Sequence, residues 1–188
     1  MTVVWIVLGV LAVLGIAVVV SYNRFVNQRN LIRNAWSNID TELQRRYDLV
    51  PNLVETVKGY AAHERDVLDS VTQARAGAVA AQGSPAEQAA AEGPLVGALR
   101  QLFAVAENYP RLMANENFLK LQHELAITED RLQASRRFYN ANVQDYNTRV
   151  QSFPSNLIAR QFHFTEHEFF EIEAALREEV RRPPRVEF

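Results

Sequence analysis

The sequence predicts an all-α protein in which an N-terminal transmembrane helix continues into an antiparallel four-helix bundle of long helices. Three observations carry that reading. An uncharged apolar run fills residues 3–20, and seven-residue rows of apolar side chains recur through most of the remaining chain. Helix caps and prolines then punctuate those rows at intervals suited to long helices rather than strands. The organisation implied is an anchor at 1–21, a helical bundle at 22–182 and an extended tail at 183–188.

Val3 to Val20 reads VVWIVLGVLAVLGIAVVV. At about 1.5 Å per residue such a helix spans about 27 Å, close to the hydrocarbon thickness of a bilayer. Trp5 and Tyr22 fall where interfacial aromatics sit at the two headgroup levels, with Arg24 just beyond the second. A cleaved signal peptide would need a positive leader and a small-residue cleavage site, and neither is evident. Arg24, Arg29 and Arg33 come after the run and before the first acidic residue, Asp40. The positive-inside rule therefore places the N-terminus outside and the bundle in the cytoplasm. Neither Gly9 nor Gly15 has a small partner four residues on, so close anchor-to-anchor packing is not encoded.

From Ile32 one row runs Ile32, Ile39, Arg46, Leu53, Tyr60, Val67 and Ala74, and its companion runs Trp36, Leu43, Val50, Val57, Glu64 and Val71. Spacings of three and four put both on one face, as in a coiled coil or bundle helix. With no turn signal before Ile32, the anchor is expected to run straight into this helix. Pro51 removes one backbone donor and predicts a kink near Tyr47. Residues 77–93 are Ala- and Gly-rich without apolar periodicity and read as a mobile connection. Inside it, Ser84, Pro85 and Glu87 form a capping box that starts a helix. A short helix carrying Leu95, Leu99, Leu102, Phe103 and Ala106 ends by Tyr109-Pro110.

A further long helix spans about Asn115 to Ser152. Phe118, Leu125, Leu132, Tyr139, Tyr146 and Phe153 recur at seven-residue intervals along it, with a mostly polar companion row of Leu121, Thr128, Ser135, Asn142 and Arg149. Phe153-Pro154 stops it, and an irregular segment is expected to follow. Thr165 and Glu168 suggest a cap for a last helix, roughly Glu166 to Val180, ended by Pro183-Pro184.

Two stretches are then distinctive: RRYDLVPNLVETVKGYAAHE at 45–64 and ENFLKLQHELAITEDRLQASRRFYNANVQDYN at 116–147. With the anchor, the Tyr109-Pro110 stop and the PRVEF end, they resemble the LemA family over almost everything but the Ala/Gly connection. The resemblance implies a bacterial inner-membrane protein with a four-helix soluble domain, in a family without an established enzymatic activity. It further implies kinship with a branch that serves in the membrane organisation of magnetosomes, and with members that often sit near genes for membrane proteases.

Composition narrows the chemistry. The 188 residues include no cysteine, which excludes disulfides, thiol catalysis and thiolate metal sites. A net charge of −2 gives no field to attract nucleic acid, and no nucleic-acid partner is expected. None of His63, His123, His163 and His167 completes the Glu-x-x-His motif of a di-iron bundle or a His-Glu-x-x-His motif. Glycines are scattered, so no phosphate loop is read, and no nucleophile elbow is present. No cofactor, metal or enzymatic activity is expected.

What stands out is polarity inside the apolar rows: Arg46, Glu64, Thr128, Ser135, Asn142 and Arg149. Such groups either specify register within one bundle or line a groove for a partner helix, a lipid headgroup or a second protomer. Arg46 is expected to pair with a carboxylate, with Glu129, Asp130 and Glu124 the first candidates. Phe169, Phe170, Val186 and Phe188 are candidate oligomer contacts. The expected function is a membrane-anchored scaffold that self-associates and organises membrane or protein partners; the alternative is a non-assembling adaptor or regulator of a membrane protease.

Overall fold

In the computed structural model of the chain, residues 1–171 are described, and six helices with no strand make up their regular structure. They are α1 (Thr2–Lys58), α2 (Arg65–Ala80), α3 (Pro85–Ala106), α4 (Pro110–Met113), α5 (Glu116–Gln151) and α6 (Ser155–Gln161). The protein is all-α. Its described residues divide into two compact units: residues 1–37 with 137–167, and residues 38–136 with 168–171. α1 and α5 contribute to both.

The unit built on residues 38–136 contains four antiparallel helical segments. Tyr60 meets Asn115 and Arg46 meets Glu129, so stepping back along α1 matches stepping forward along α5. Tyr47 meets Gln88, while Glu64 meets Tyr109, so α3 runs in the direction of α1. α2 returns between them and brings Arg75 beside Tyr47. The core is the apolar rows themselves: Ile39, Leu43, Leu53 and Val57 of α1 join Leu95 and Leu102 of α3 and Phe118, Leu125 and Leu132 of α5 as buried side chains.

In the other unit, the first part of α1 and the end of α5 also run antiparallel. Trp36 lies against Tyr139, and Phe25 lies edge-on to Tyr146. α6 closes this unit with a turn that satisfies its last carbonyls. Phe164 N–H donates to Ala159 C=O at 2.9 Å and His163 N–H to Arg160 C=O at 3.4 Å, with His163 at φ 56°. That left-handed residue is usually glycine, and histidine is among the side chains that visit it more often than most. Phe164 is thereby turned inward, stacked on Phe25 at 4.8 Å.

Several expectations need correction. The first bundle helix does not continue to Ala74: α1 ends at Lys58, and residues 59–64 make the turn into α2. The seven-residue phase survives across the turn, which hides the break. Tyr60, expected in the row, is exposed. Pro51 lies inside α1, as the expected kink requires, and the Tyr47 carbonyl that it leaves without a helical donor accepts from Arg75 Nε at 2.7 Å. The mobile connection is largely helical: α2 runs to Ala80 and α3 starts at Pro85, leaving only 81–84 between them. Alanine is the strongest helix former, so lack of apolar rows does not imply lack of helix. At Ser84 the capping box is complete, with Ser84 accepting from Glu87 N–H and Glu87 accepting from Ser84 N–H.

The last helix expected from Glu166 is not helical up to residue 171, and its remainder, with Val186 and Phe188, lies outside the described residues. The physical reason is a tertiary contact. Asn147 donates to the His167 carbonyl and accepts from its N–H, each at 2.9 Å, which occupies a carbonyl that a helix would need and holds the backbone in another conformation. Conversely α6, within a segment expected to be irregular, is helical.

Candidate functional site

A buried polar cluster occupies the middle of the four-segment unit. Arg46 enters from α1 and Glu92 from α3, and both side chains are almost wholly buried. One Arg46 nitrogen, Nη2, donates to Glu92 Oε2, and the other, Nη1, donates to Glu129 Oε2 of α5 at 3.2 Å. Tyr47 O–H donates to Glu92 Oε1. Gln88, one turn before Glu92 on α3, donates to Glu92 Oε1 at 3.0 Å, to the Tyr47 hydroxyl at 3.1 Å and to the Ala78 carbonyl at 3.2 Å. The Glu92 carboxylate thus receives a cation, a phenol and an amide. A buried carboxylate needs that much support to stay charged. Burial, followed by the bond to Glu92, holds the Tyr47 phenol well above its ordinary range, so it remains a donor.

The cluster is not sealed on every side. Glu129 is 37% exposed. Beside it, α3 and α5 leave an open groove of about 630 Å³ whose walls include Arg46, Leu99, Phe103, Leu125 and Glu129. Apolar walls with a charged pair at one end suit a peptide or lipid segment that presents a polar group. Arg46 Nε is buried and has no acceptor among the described residues.

The structure does not gather the other polar row residues around Arg46. Glu64 lies in the turn before α2 and accepts from Tyr109 O–H at 2.8 Å, a bond that, ahead of burial, raises the phenol's pKa. Thr128 is buried but turns its hydroxyl onto the Glu124 carbonyl of its own helix at 2.8 Å. Ser135 is half-buried on α5. Asn142 and Arg149 belong to the other unit. There Asn142 donates to the Phe138 carbonyl at 2.7 Å, and Arg149 Nε is buried without an acceptor among the described residues. Of the three carboxylates expected around Arg46, Glu129 is the one that binds it. Glu92 and Gln88 were missed because they fall in the Ala-rich stretch. They precede Leu95, Leu99 and Leu102 at helical spacing, and that was the signal available.

Phe170 is also corrected. It is fully buried within its own unit, with the Arg136 guanidinium over its ring at 5.8 Å, so it is not an exposed oligomer contact. Phe169 is half-buried. Trp5 is bare, whereas Tyr22 packs its ring against Phe162 and Phe164. Among the described residues no three His, Asp or Glu side chains converge as a metal site.

Among the described histidines, His167 has a shifted equilibrium. Burial, reinforced by the positive charge of Arg29, holds its imidazole below the ordinary value. The unfolded chain takes up that proton near pH 6.5, the folded chain only lower. Its contribution to stability is therefore present above about pH 6.5 and lost as pH falls through the folded value. The expected result is a lower melting temperature at pH 5 than at pH 7.5, with the difference reduced in His167→Gln; an undiminished difference would assign it to another group.

The sequence model of the LemA family matches residues 35–188. The chain is 27% identical over 175 residues to Magnetosome protein MamQ 2 of Paramagnetospirillum magneticum, covering 80% of this chain and 64% of that one. It is 28% identical over 142 residues to Protein LemA of Metamycoplasma hominis, covering 74% and 64%. A match to Magnetosome protein MamQ of Magnetospirillum gryphiswaldense is 26% identical over 174 residues, covering 79% and 64%. The chain thus spans a little under two thirds of the length of these curated relatives.

Proposed function

The chain belongs to the LemA family, and we propose that it is a membrane-anchored helical scaffold that self-associates at the bacterial inner membrane and organises membrane or protein partners. The observation that carries this reading is the unbroken helix between the bare apolar run and the first packed side chain. Every residue of 3–20 is exposed, unlike a core helix of the same composition, and Phe25, just beyond, is fully buried on the same helix. No flexible linker intervenes, so the packed helices cannot tumble freely about their anchor. Protomers held in the plane of a membrane at a restricted tilt meet at raised effective concentration, and weak lateral contacts then suffice. Kinship with magnetosome proteins is in keeping with a role at membranes. Arg24, Arg29 and Arg33 favour a cytoplasmic bundle.

The test is the size of the full-length protein in detergent and in lipid nanodiscs, read by light scattering. Discrete particles of several copies are expected. A monomer in both media would overturn the scaffold. The groove beside Arg46 favours a second reading, an adaptor that seats a segment of a membrane protease or other membrane protein. Monomers that co-purify with such a protease would establish it instead.

A further inference from the structure

The seven-residue row of α5 is buried from Phe118 through Tyr146 and then fails: Phe153, its next member, is 78% exposed. Leu157 on α6 and Phe162 at its C-terminal cap are exposed as well. Large apolar side chains exposed on and around one short turn and helix call for a partner.

Their position identifies it. Phe162 rests edge-on against Tyr22 at 4.9 Å, and Tyr22 comes almost directly after the apolar run that ends at Val20. The antiparallel register agrees. With Trp36 against Tyr139 and Phe25 against Tyr146, the end of α5 at Gln151 falls within about one helical turn of Val20, roughly 5.4 Å along the axis. The turn bearing Phe153 is therefore level with the end of the apolar run. Arg24 and Arg160 are exposed in the same unit and suit anionic headgroups.

We infer that the exposed Phe153 and Leu157 seat in the interfacial layer of the lipid bilayer, so that the α5–α6 turn is a second membrane contact beside the anchor. The inference rests on the proposed membrane reading of residues 3–20. Its structural consequence is a protein held to the membrane at two points, which fixes its rotation about the anchor as well as its tilt.

The chain has no cysteine, so single labels report cleanly. Phe153→Cys and Leu157→Cys, both at exposed positions, are spin-labelled in the full-length protein. The labelled protein is reconstituted in vesicles of phosphatidylethanolamine and phosphatidylglycerol. Val10→Cys serves as the reference for the span and Gln82→Cys as the reference for water. The expected result is high collision with oxygen and low collision with a water-soluble nickel chelate at 153 and 157, with a ratio several-fold above that at 82. Labels at 153 and 157 as open to the chelate as 82, while Val10 is shielded from it, would overturn the second contact and leave the anchor standing. Shielding from both reagents would put protein on this face, whether a second copy or the rest of the chain, and would also overturn it. A Val10 label open to the chelate would remove the membrane reading itself.

Discussion

Glu92→Ala is expected to destabilise the protein by about 3–5 kcal/mol, because it strands a buried arginine. For a chain of this size that corresponds to a fall in Tm on the order of 10 °C. Arg46→Ala should cost a comparable amount by stranding Glu92. Glu129→Ala should cost no more than about 1 kcal/mol, since its carboxylate is partly in water and its pairing is screened. The informative variant is the double replacement Arg46→Met with Glu92→Leu. Apolar groups of similar volume remove both desolvation penalties together, so much of the loss should be recovered, short of the parent by the Tyr47 hydroxyl left without its acceptor. Thermal denaturation followed by circular dichroism measures all four. An unchanged Tm in Glu92→Ala would mean that Arg46 is adequately solvated through the groove. The double variant also bears on function: full assembly would confine the ion pair to specifying the fold, while a folded protein that has lost its partners would make the pair part of a recognition surface.

That this cluster is hard to see in the primary structure has a physical explanation. Periodicity is legible only where side chains are large. Ile39, Leu53, Phe118 and Tyr139 announce their faces, and the strict row on α5 places its buried side from sequence alone. Around 77–93, the end of α2 and the start of α3 bury Ala78 and Ala89 rather than large side chains, so that part of a helical pair looks like a linker. The polar half of the cluster, Gln88 and Glu92, is hidden in it. The turn at 59–64 is masked for the opposite reason, since Val67 and Val71 keep the phase of the preceding row although the chain has reversed. Local signals do better: the Ser84 box depends on neighbours only. The cap suggested at Thr165 does not form a helix in residues 165–171, because a tertiary contact from Asn147 claims that backbone.

Phe25→Ala should cost about 3–5 kcal/mol, the usual range for emptying a buried aromatic site. Phe25 is stacked on Phe164 and edge-on to Tyr146, so the loss includes two ring pairs, each worth about 0.5–1.5 kcal/mol beyond the area buried. The effect should be local in a specific way. Phe164 is the residue that the α6 cap turns inward, and without Phe25 it keeps on α1 only the tilted Tyr22 ring and the Arg29 guanidinium, each at 5.6 Å. Hydrogen exchange should therefore show peptides over 155–167 losing protection, while peptides from α2 and α3 keep theirs. Phe25→Leu, which refills most of the volume without a ring, should restore most of the protection. Because α6 carries Leu157, the alanine variant should also release the spin label at Leu157→Cys toward water. Retained protection over 155–167 in Phe25→Ala would show that α6 is held by something other than this stack, and that the register of the α5–α6 turn does not depend on it.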